Sequence, residues 1–286
     1  MGFLFKVIAS PLIALALLLS GCGSFQSTPE QITAVFASEG LETPAIADIQ
    51  RPNGNLRFAD TAPADNTKPL VIFIHGAPGS WDAFTDFMAD KTLREHVRMV
   101  SVDRPGYGGS NPGTPMPSLQ EQATFLSPTL DIARPNGTIL VGHSLGGPVA
   151  VQMAMDKPDK VRGLILVAPS IDPQLERTKW YQYPADWLLF RWMVPEALDV
   201  TNQEILPLKG ELEKQTPRWS EIIIPVIVIQ GEKDTLVPPA NAQYAQKMLT
   251  NTSADIRLHP ELNHFIPWSA PELIKEAILD LAEREH

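Results

Sequence analysis

The strongest constraint on this chain is the stretch Thr138-Ile139-Leu140-Val141-Gly142-His143-Ser144-Leu145-Gly146-Gly147. Four β-prone residues run into Gly-His-Ser-Leu-Gly, and a helix-compatible run, Pro148 to Met155, follows. A serine framed as G-x-S-x-G between strand and helix implies a sharp turn that lifts the hydroxyl above a sheet edge. Gly142 and Gly146 remove side chains where the strand and helix backbones would crowd. Ser144 is then expected in strained backbone geometry. Alone, the pentapeptide also reads as a tight turn that contains a serine. The flanking strand and helix favour a nucleophile.

The same rhythm extends on both sides. Leu70 to Ile74 is a continuous apolar run, as in a strand buried on both faces, and it ends in His75-Gly76-Ala77-Pro78-Gly79-Ser80. Trp81 to Met88 reads as helix. Val97 to Val102 is a second buried strand, leading into Asp103-Arg104-Pro105-Gly106-Tyr107-Gly108-Gly109-Ser110. A helix is expected near Leu119 to Ala133, with Pro128 a candidate break. Val161 to Val167 is the fourth buried strand, and Ile222 to Gln230 another. Helices at Asn241 to Leu249 and Glu272 to Glu283 flank a short strand, Ile256 to His259. Such alternation predicts a mostly parallel α/β sheet, with the loops after each strand on one edge, where ligands bind. Upstream, Glu30 to Glu39 is a possible short helix, Pro44 to Gly54 is loop or edge structure, and Leu56 to Asp60 alternates like a strand.

Between Pro169 and about Ile222 the rhythm breaks. The insert holds Trp180, Trp187, Trp192 and Trp219, with Tyr181, Tyr183 and Phe190, and reads as short helices broken by Pro173, Pro184, Pro195 and Pro207. Two readings stand: an aromatic packing layer on the sheet, and a lid over an apolar pocket lined by Trp180, Tyr183 and Trp187. The expected organisation is a core of 55–170 and 223–286, with a helical cap at 171–222.

The N-terminus has another character. Lys6 precedes an apolar run, Val7 to Leu19, too short for a comfortable membrane span but suited to a secretory signal. Leu19-Ser20-Gly21-Cys22 resembles the bacterial lipobox and contains the chain's only cysteine. The expectation is a signal peptide at 1–21, lipidation at Cys22 and a tether and extension over 22–54. An ordinary cleaved signal with a stray cysteine is the alternative. Gly23 after the cysteine, rather than aspartate, resembles the outer-membrane pattern of Gram-negative lipoproteins. The formal net charge of −10 argues against nucleic acid or anionic headgroups as partners.

Together the motifs resemble the α/β-hydrolase family over nearly all of residues 55–286. The resemblance rests on His75-Gly76-Ala77-Pro78-Gly79, Asp103-Arg104-Pro105-Gly106-Tyr107-Gly108, Gly142-His143-Ser144-Leu145-Gly146, Gly231-Glu232-Lys233-Asp234 and Asn263-His264, in the family's order. It implies a Ser144, Asp234, His264 triad. The chemistry agrees: a serine hydroxyl needs an adjacent base, histidine can accept and return a proton, and a carboxylate fixes the imidazole tautomer. His259 is the rival base and Asp172 the rival acid. His75 and His143 are expected to serve the backbone, and Asp103 to hold its own loop. The backbone N–H of Leu145 is one expected oxyanion donor, and that of Ala77, by resemblance, the other. Pro78 has no N–H to give.

Serine at position 144 argues against the haloalkane dehalogenases and epoxide hydrolases, which carry aspartate there. Proline iminopeptidases are similar around His75 but differ at Ala77, His143 and Leu145. No metal-ligand spacing or dinucleotide fingerprint occurs, so no cofactor is implied. The expectation is a lipid-anchored serine hydrolase of carboxylic esters with an apolar moiety. Amidase, thioesterase and carbon–carbon bond hydrolase chemistry share the same parts, and a non-catalytic envelope scaffold is the reading of another class. Oligomeric state leaves no mark in the sequence.

Overall fold

The computed structural model describes residues 26–65, 67–132, 137–176 and 195–284. Helix α1 (Pro29–Ser38) starts at a capping box: Thr28 accepts the Gln31 N–H and the Gln31 side chain accepts the Thr28 N–H. An antiparallel hairpin follows, β1 (Ala45–Arg51) and β2 (Gly54–Asp60), so the ambiguous stretch after Pro44 is an edge strand. Then come β3 (Leu70–Ile74), a 3₁₀ turn (Trp81–Phe84), α2 (Thr85–Met88), α3 (Lys91–His96) and β4 (Arg98–Val102). Helix α4 (Leu119–Leu126) passes at Ser127 into a 3₁₀ segment ending at Ile132, the break expected around Pro128.

The second half begins with β5 (Thr138–His143), α5 (Gly146–Asp156) and β6 (Val161–Val167). After the insert come β7 (Val226–Gly231), α7 (Ala240–Met248), β8 (Ala254–His259), α8 (Ile266–Ser269) and α9 (Pro271–Glu283). The strands form one sheet in the order β1-β2-β4-β3-β5-β6-β7-β8. From β4 to β8 every pairing is parallel, and only the β1–β2 and β2–β4 pairings are antiparallel. The fold expected from the alternation is therefore present.

The continuous apolar runs have a direct cause. Ile72, Ile74, Leu140, Leu164 and Val228 face one core with α4 and α5, while Val71, Phe73, Val141, Ile165 and Ile229 face the other with α2, α3 and α9. Side chains alternate across the pleat, so a sheet covered on both sides needs apolar residues at every position.

Within the insert the described part is α6 (Glu196–Gln215) and a 3₁₀ turn, Thr216–Glu221. Here one expectation is corrected, because α6 runs straight through Pro207. Pro207 is exposed, so the carbonyl it leaves without a partner can be met by water, while Val200, Glu204, Leu208 and Leu212 form the buried stripe. The strand expected from Ile222 starts only at Val226, after Pro225. Trp219 is buried in the core, edge-on to Tyr244 at 5.6 Å, which is the packing role. Trp180, Tyr183 and Trp187, the expected pocket residues, lie outside the described residues, as do residues 1–21 and Cys22. Among the described residues no helix is long and apolar enough to cross a membrane.

Candidate active site

The turn after β5 has the expected strain. Ser144 is half-buried at φ +54°, the left-handed region that costs a non-glycine residue roughly 1–3 kcal/mol. Its backbone is fixed from β6: Ser144 N–H donates to Val167 O at 3.0 Å, and Ser144 O accepts Gly147 N–H at 3.0 Å and Ser170 N–H at 3.3 Å. The flanking glycines are steric requirements. A Cβ on Gly142 would lie 2.5 Å from Gly146 O, and one on Gly146 would lie 2.2 Å from Ile74 O.

Two loops at the same sheet edge supply the other groups. Asp234 follows β7 and His264 follows β8. His264 Nδ1 lies 2.7 Å from Asp234 Oδ2. Asp234 Oδ1 accepts the N–H groups of Leu236 (2.9 Å) and Val237 (2.8 Å), and Gln230 Nε2 donates to Oδ2 at 3.3 Å. Burial alone would raise the Asp234 pKa. The hydrogen bonds from His264 and Val237 outweigh it, and the carboxyl sits below its ordinary range. An ionised Asp234 beside Nδ1 holds the proton there and leaves Nε2 as the basic nitrogen. No hydrogen bond joins the Ser144 hydroxyl to the His264 ring among the described residues, and such contacts often tighten only with substrate bound.

The rivals are placed elsewhere. Asp172 caps its own turn, accepting Gln174 N–H at 2.8 Å, and among the described residues no hydrogen bond joins it to His264. His259 ends β8, and its carbonyl accepts Glu232 and Leu262 N–H groups. His143 is a buttress: its Nε2 lies 3.1 Å from the His264 carbonyl, the rings are 4.9 Å apart, and burial, then the neighbouring His264 ring, push its pKa down to about 3. His75 is likewise buried and held neutral, chiefly by desolvation. Asp103 does hold its loop, accepting Trp81 N–H (2.8 Å) and Gly109 N–H (2.7 Å).

The loop after β3 lies against the serine turn, since a Cβ on Gly76 would sit 3.0 Å from Ser144 Cβ. Neither the Ala77 N–H nor the Leu145 N–H donates to a protein group among the described residues. Leu145 stands directly before α5, whose N-terminus carries partial positive charge. Two backbone donors are thus unspent beside Ser144.

What the sequence did not reveal is how the Ala77 loop is held. Arg104, fully buried, donates from Nε to His75 O (2.9 Å) and from Nη2 to Gly76 O (3.2 Å), and its own N–H reaches His75 Nε2 (3.0 Å). Its guanidinium also meets Glu204 of α6 in a two-pronged pair, Nη1–Oε1 at 3.1 Å and Nη2–Oε2 at 3.0 Å. Tyr107 Oη (2.8 Å) and Gln122 Nε2 (3.0 Å) donate to the same carboxylate. Burial raises the Glu204 carboxyl, and Arg104 opposes it. Four donors converging on the carboxylate favour the ionised form. A signal was present: at four-residue spacing, Val200, Glu204, Leu208 and Leu212 put a glutamate on an apolar helix face. Among the described residues no cluster of three or more His, Cys, Asp or Glu could hold a metal ion.

Residues 71–277 match the model of the alpha/beta hydrolase family. The chain is an α/β hydrolase. It is 37% identical over 205 residues to the dihydrolipoyllysine-residue acetyltransferase component of the acetoin cleaving system of Cupriavidus necator, a match covering 61% of this chain and 54% of that protein, so it spans only about half of that relative's length. Pyrethroid hydrolase of Sphingobium wenxiniae is 28% identical over 252 residues, covering 74% of this chain and 87% of that one. Among solved structures, a membrane phospholipase A described as a bacterial virulence factor superposes with a TM-score of 0.62 at 19% identity, covering 94% of this chain and 96% of the other. At that identity the likeness speaks for the fold alone.

Proposed function

We propose that this α/β hydrolase cleaves carboxylic esters through an acyl-enzyme on Ser144. The observation that carries the reading is the 2.7 Å contact of His264 Nδ1 with an Asp234 held below its ordinary pKa, at the sheet edge where Ser144 stands at φ +54°. In the proposed first step Ser144 Oγ attacks the ester carbonyl while its proton passes to His264 Nε2. The Ala77 and Leu145 N–H groups receive the developing oxyanion. Collapse breaks the carbon–oxygen bond, and His264 returns the proton to the departing alcohol. Water repeats the sequence: His264 takes its proton, the acyl–serine bond breaks, and Ser144 recovers its hydrogen. Asp234 stays ionised throughout and stabilises the imidazolium.

Loss of short- to medium-chain p-nitrophenyl ester hydrolysis in both Ser144→Ala and His264→Ala is the expected result. Persistent turnover by purified Ser144→Ala would refute the reading.

The proposal includes the location. Acyl chains on Cys22 would anchor the protein in the bacterial envelope, with the outer membrane facing the periplasm as the site suggested by Gly23. Support comes from the lipobox-like Leu19-Ser20-Gly21-Cys22 and the lone cysteine. Metabolic labelling with an alkynyl palmitate tests it, with Cys22→Ser expected to lose the label.

A further inference from the structure

The described residues carry six large exposed hydrophobic side chains, and three of them rim the candidate site: Leu236 (61% exposed), Phe265 (51%) and Trp268 (50%). Leu236 is two residues past Asp234, and Phe265 directly follows His264. Trp268 stands edge-on to His143 at 5.5 Å and lies 6.0 Å from Phe265, whose ring is 5.8 Å from that of His264. His143 ends β5, so this apolar rim sits over the carboxyl ends of the central strands.

The N-terminal end of the described chain is pinned to that same edge. Ser27 N–H donates to Asp82 Oδ2 at 2.5 Å, and Ser80 Oγ donates to the other carboxylate oxygen. Asp82 lies in the 3₁₀ turn that follows the Ala77 loop, beyond the carboxyl end of β3, the immediate neighbour of β5. Five residue steps separate Cys22 from Ser27, at most about 18 Å when fully extended. A lipid on Cys22 would therefore hold the catalytic edge, and not its opposite, close to the bilayer.

From these two observations we infer that the edge bearing Leu236, Phe265 and Trp268 is a bilayer-docking surface, seated in the interfacial zone of a lipid membrane. The inference rests on the proposed anchor at Cys22. Exposed aromatic and aliphatic side chains suit the boundary between headgroups and acyl chains. With a net charge of −10 the contact has to be apolar, so a zwitterionic surface is the appropriate one. Apolar esters dissolved in the membrane would then reach Ser144 without crossing bulk water.

The test uses the full chain, processed and lipidated, in phosphatidylcholine vesicles. Because Cys22 is the only cysteine and is acylated in this reading, Leu236→Cys supplies a single free thiol for a nitroxide label. Asp159→Cys, in the exposed turn before β6 at the opposite edge, supplies the comparison. Continuous-wave saturation measures collision with dissolved oxygen and with a water-soluble nickel chelate. The expected result is a several-fold lower nickel collision rate, and a higher oxygen rate, at position 236 than at 159. Co-sedimentation with vesicles but equal nickel access at both positions would overturn the docking surface and leave the anchor standing. Failure of the full chain to co-sediment would overturn the anchor and the docking surface with it.

Discussion

Replacing Glu204 by glutamine keeps the shape of the side chain and removes its charge, leaving the Arg104 guanidinium fully buried without a counter-charge. Breaking one side of a buried pair typically costs about 3–5 kcal/mol. At roughly 2–4 °C per kcal/mol for a chain approaching this size, the melting temperature should fall by on the order of 10 °C. Arg104→Met should cost a similar amount, since it strands the carboxylate and frees the carbonyls of His75 and Gly76. The Arg104→Met/Glu204→Gln double variant should lose clearly less than the sum of the two losses, because neither charge is then abandoned. Thermal or urea unfolding of the four proteins closes the cycle. Activity gives a second reading, because the same guanidinium grips the Ala77 loop: kcat should fall more than KM rises, by up to roughly 10²–10³, the value of one oxyanion donor. Single-variant losses that simply add in the double variant, within about 0.5 kcal/mol, would refute the reasoning.

Other consequences follow from the same geometry. Gly146→Ala places a Cβ 2.2 Å from Ile74 O and 2.6 Å from His75 O, both backbone atoms that cannot swing aside, so it should destabilise by at least about 1–3 kcal/mol and depress ester hydrolysis, as melting and turnover would show. Asp234→Asn should keep the fold and lower kcat by roughly 10⁴, because the Nδ1 proton is no longer held by a carboxylate; an unchanged kcat would remove Asp234 from the site. Burial raises Asp103 from 3.8 to about 6, so the native state binds its proton more tightly than the unfolded chain. This group therefore favours the fold below about pH 4, and that stabilisation is lost as pH rises through about 6. Asp103→Asn should flatten this component of the stability profile between pH 4 and 6, and melts showing an unaltered slope would contradict it.

Much of the architecture could be read from the chain because its central strands are buried on both faces. Leu70 to Ile74 and Val161 to Val167 have no choice but to be apolar throughout, and the loops that end them carry the polar residues of the site. The geometry at Ser144 was legible because two steric necessities, Gly142 and Gly146, bracket it. Asp234 and Asp172 both follow buried strands, and only three-dimensional placement shows which carboxylate meets His264. The pairing of Arg104 with Glu204 leaves no local signal, because its two members lie a hundred residues apart and meet only once α6 packs over the Ala77 loop. Pro207 signals a helix break in the sequence yet lies within α6, since a proline can sit inside a helix when its freed carbonyl faces water. Leu236, Phe265 and Trp268 look like core residues in sequence, and their exposure is a property of the loops and the short helix α8 that carry them.

The central claim is that Ser144 is an activated nucleophile, and reaction of the intact protein with a fluorophosphonate probe, mapped by peptide mass spectrometry, tests it most directly. The account predicts one phosphonyl adduct per chain on Ser144, absent in Ser144→Ala and strongly slowed in His264→Ala. A folded protein that takes up no probe, or takes it up at another residue, would contradict it.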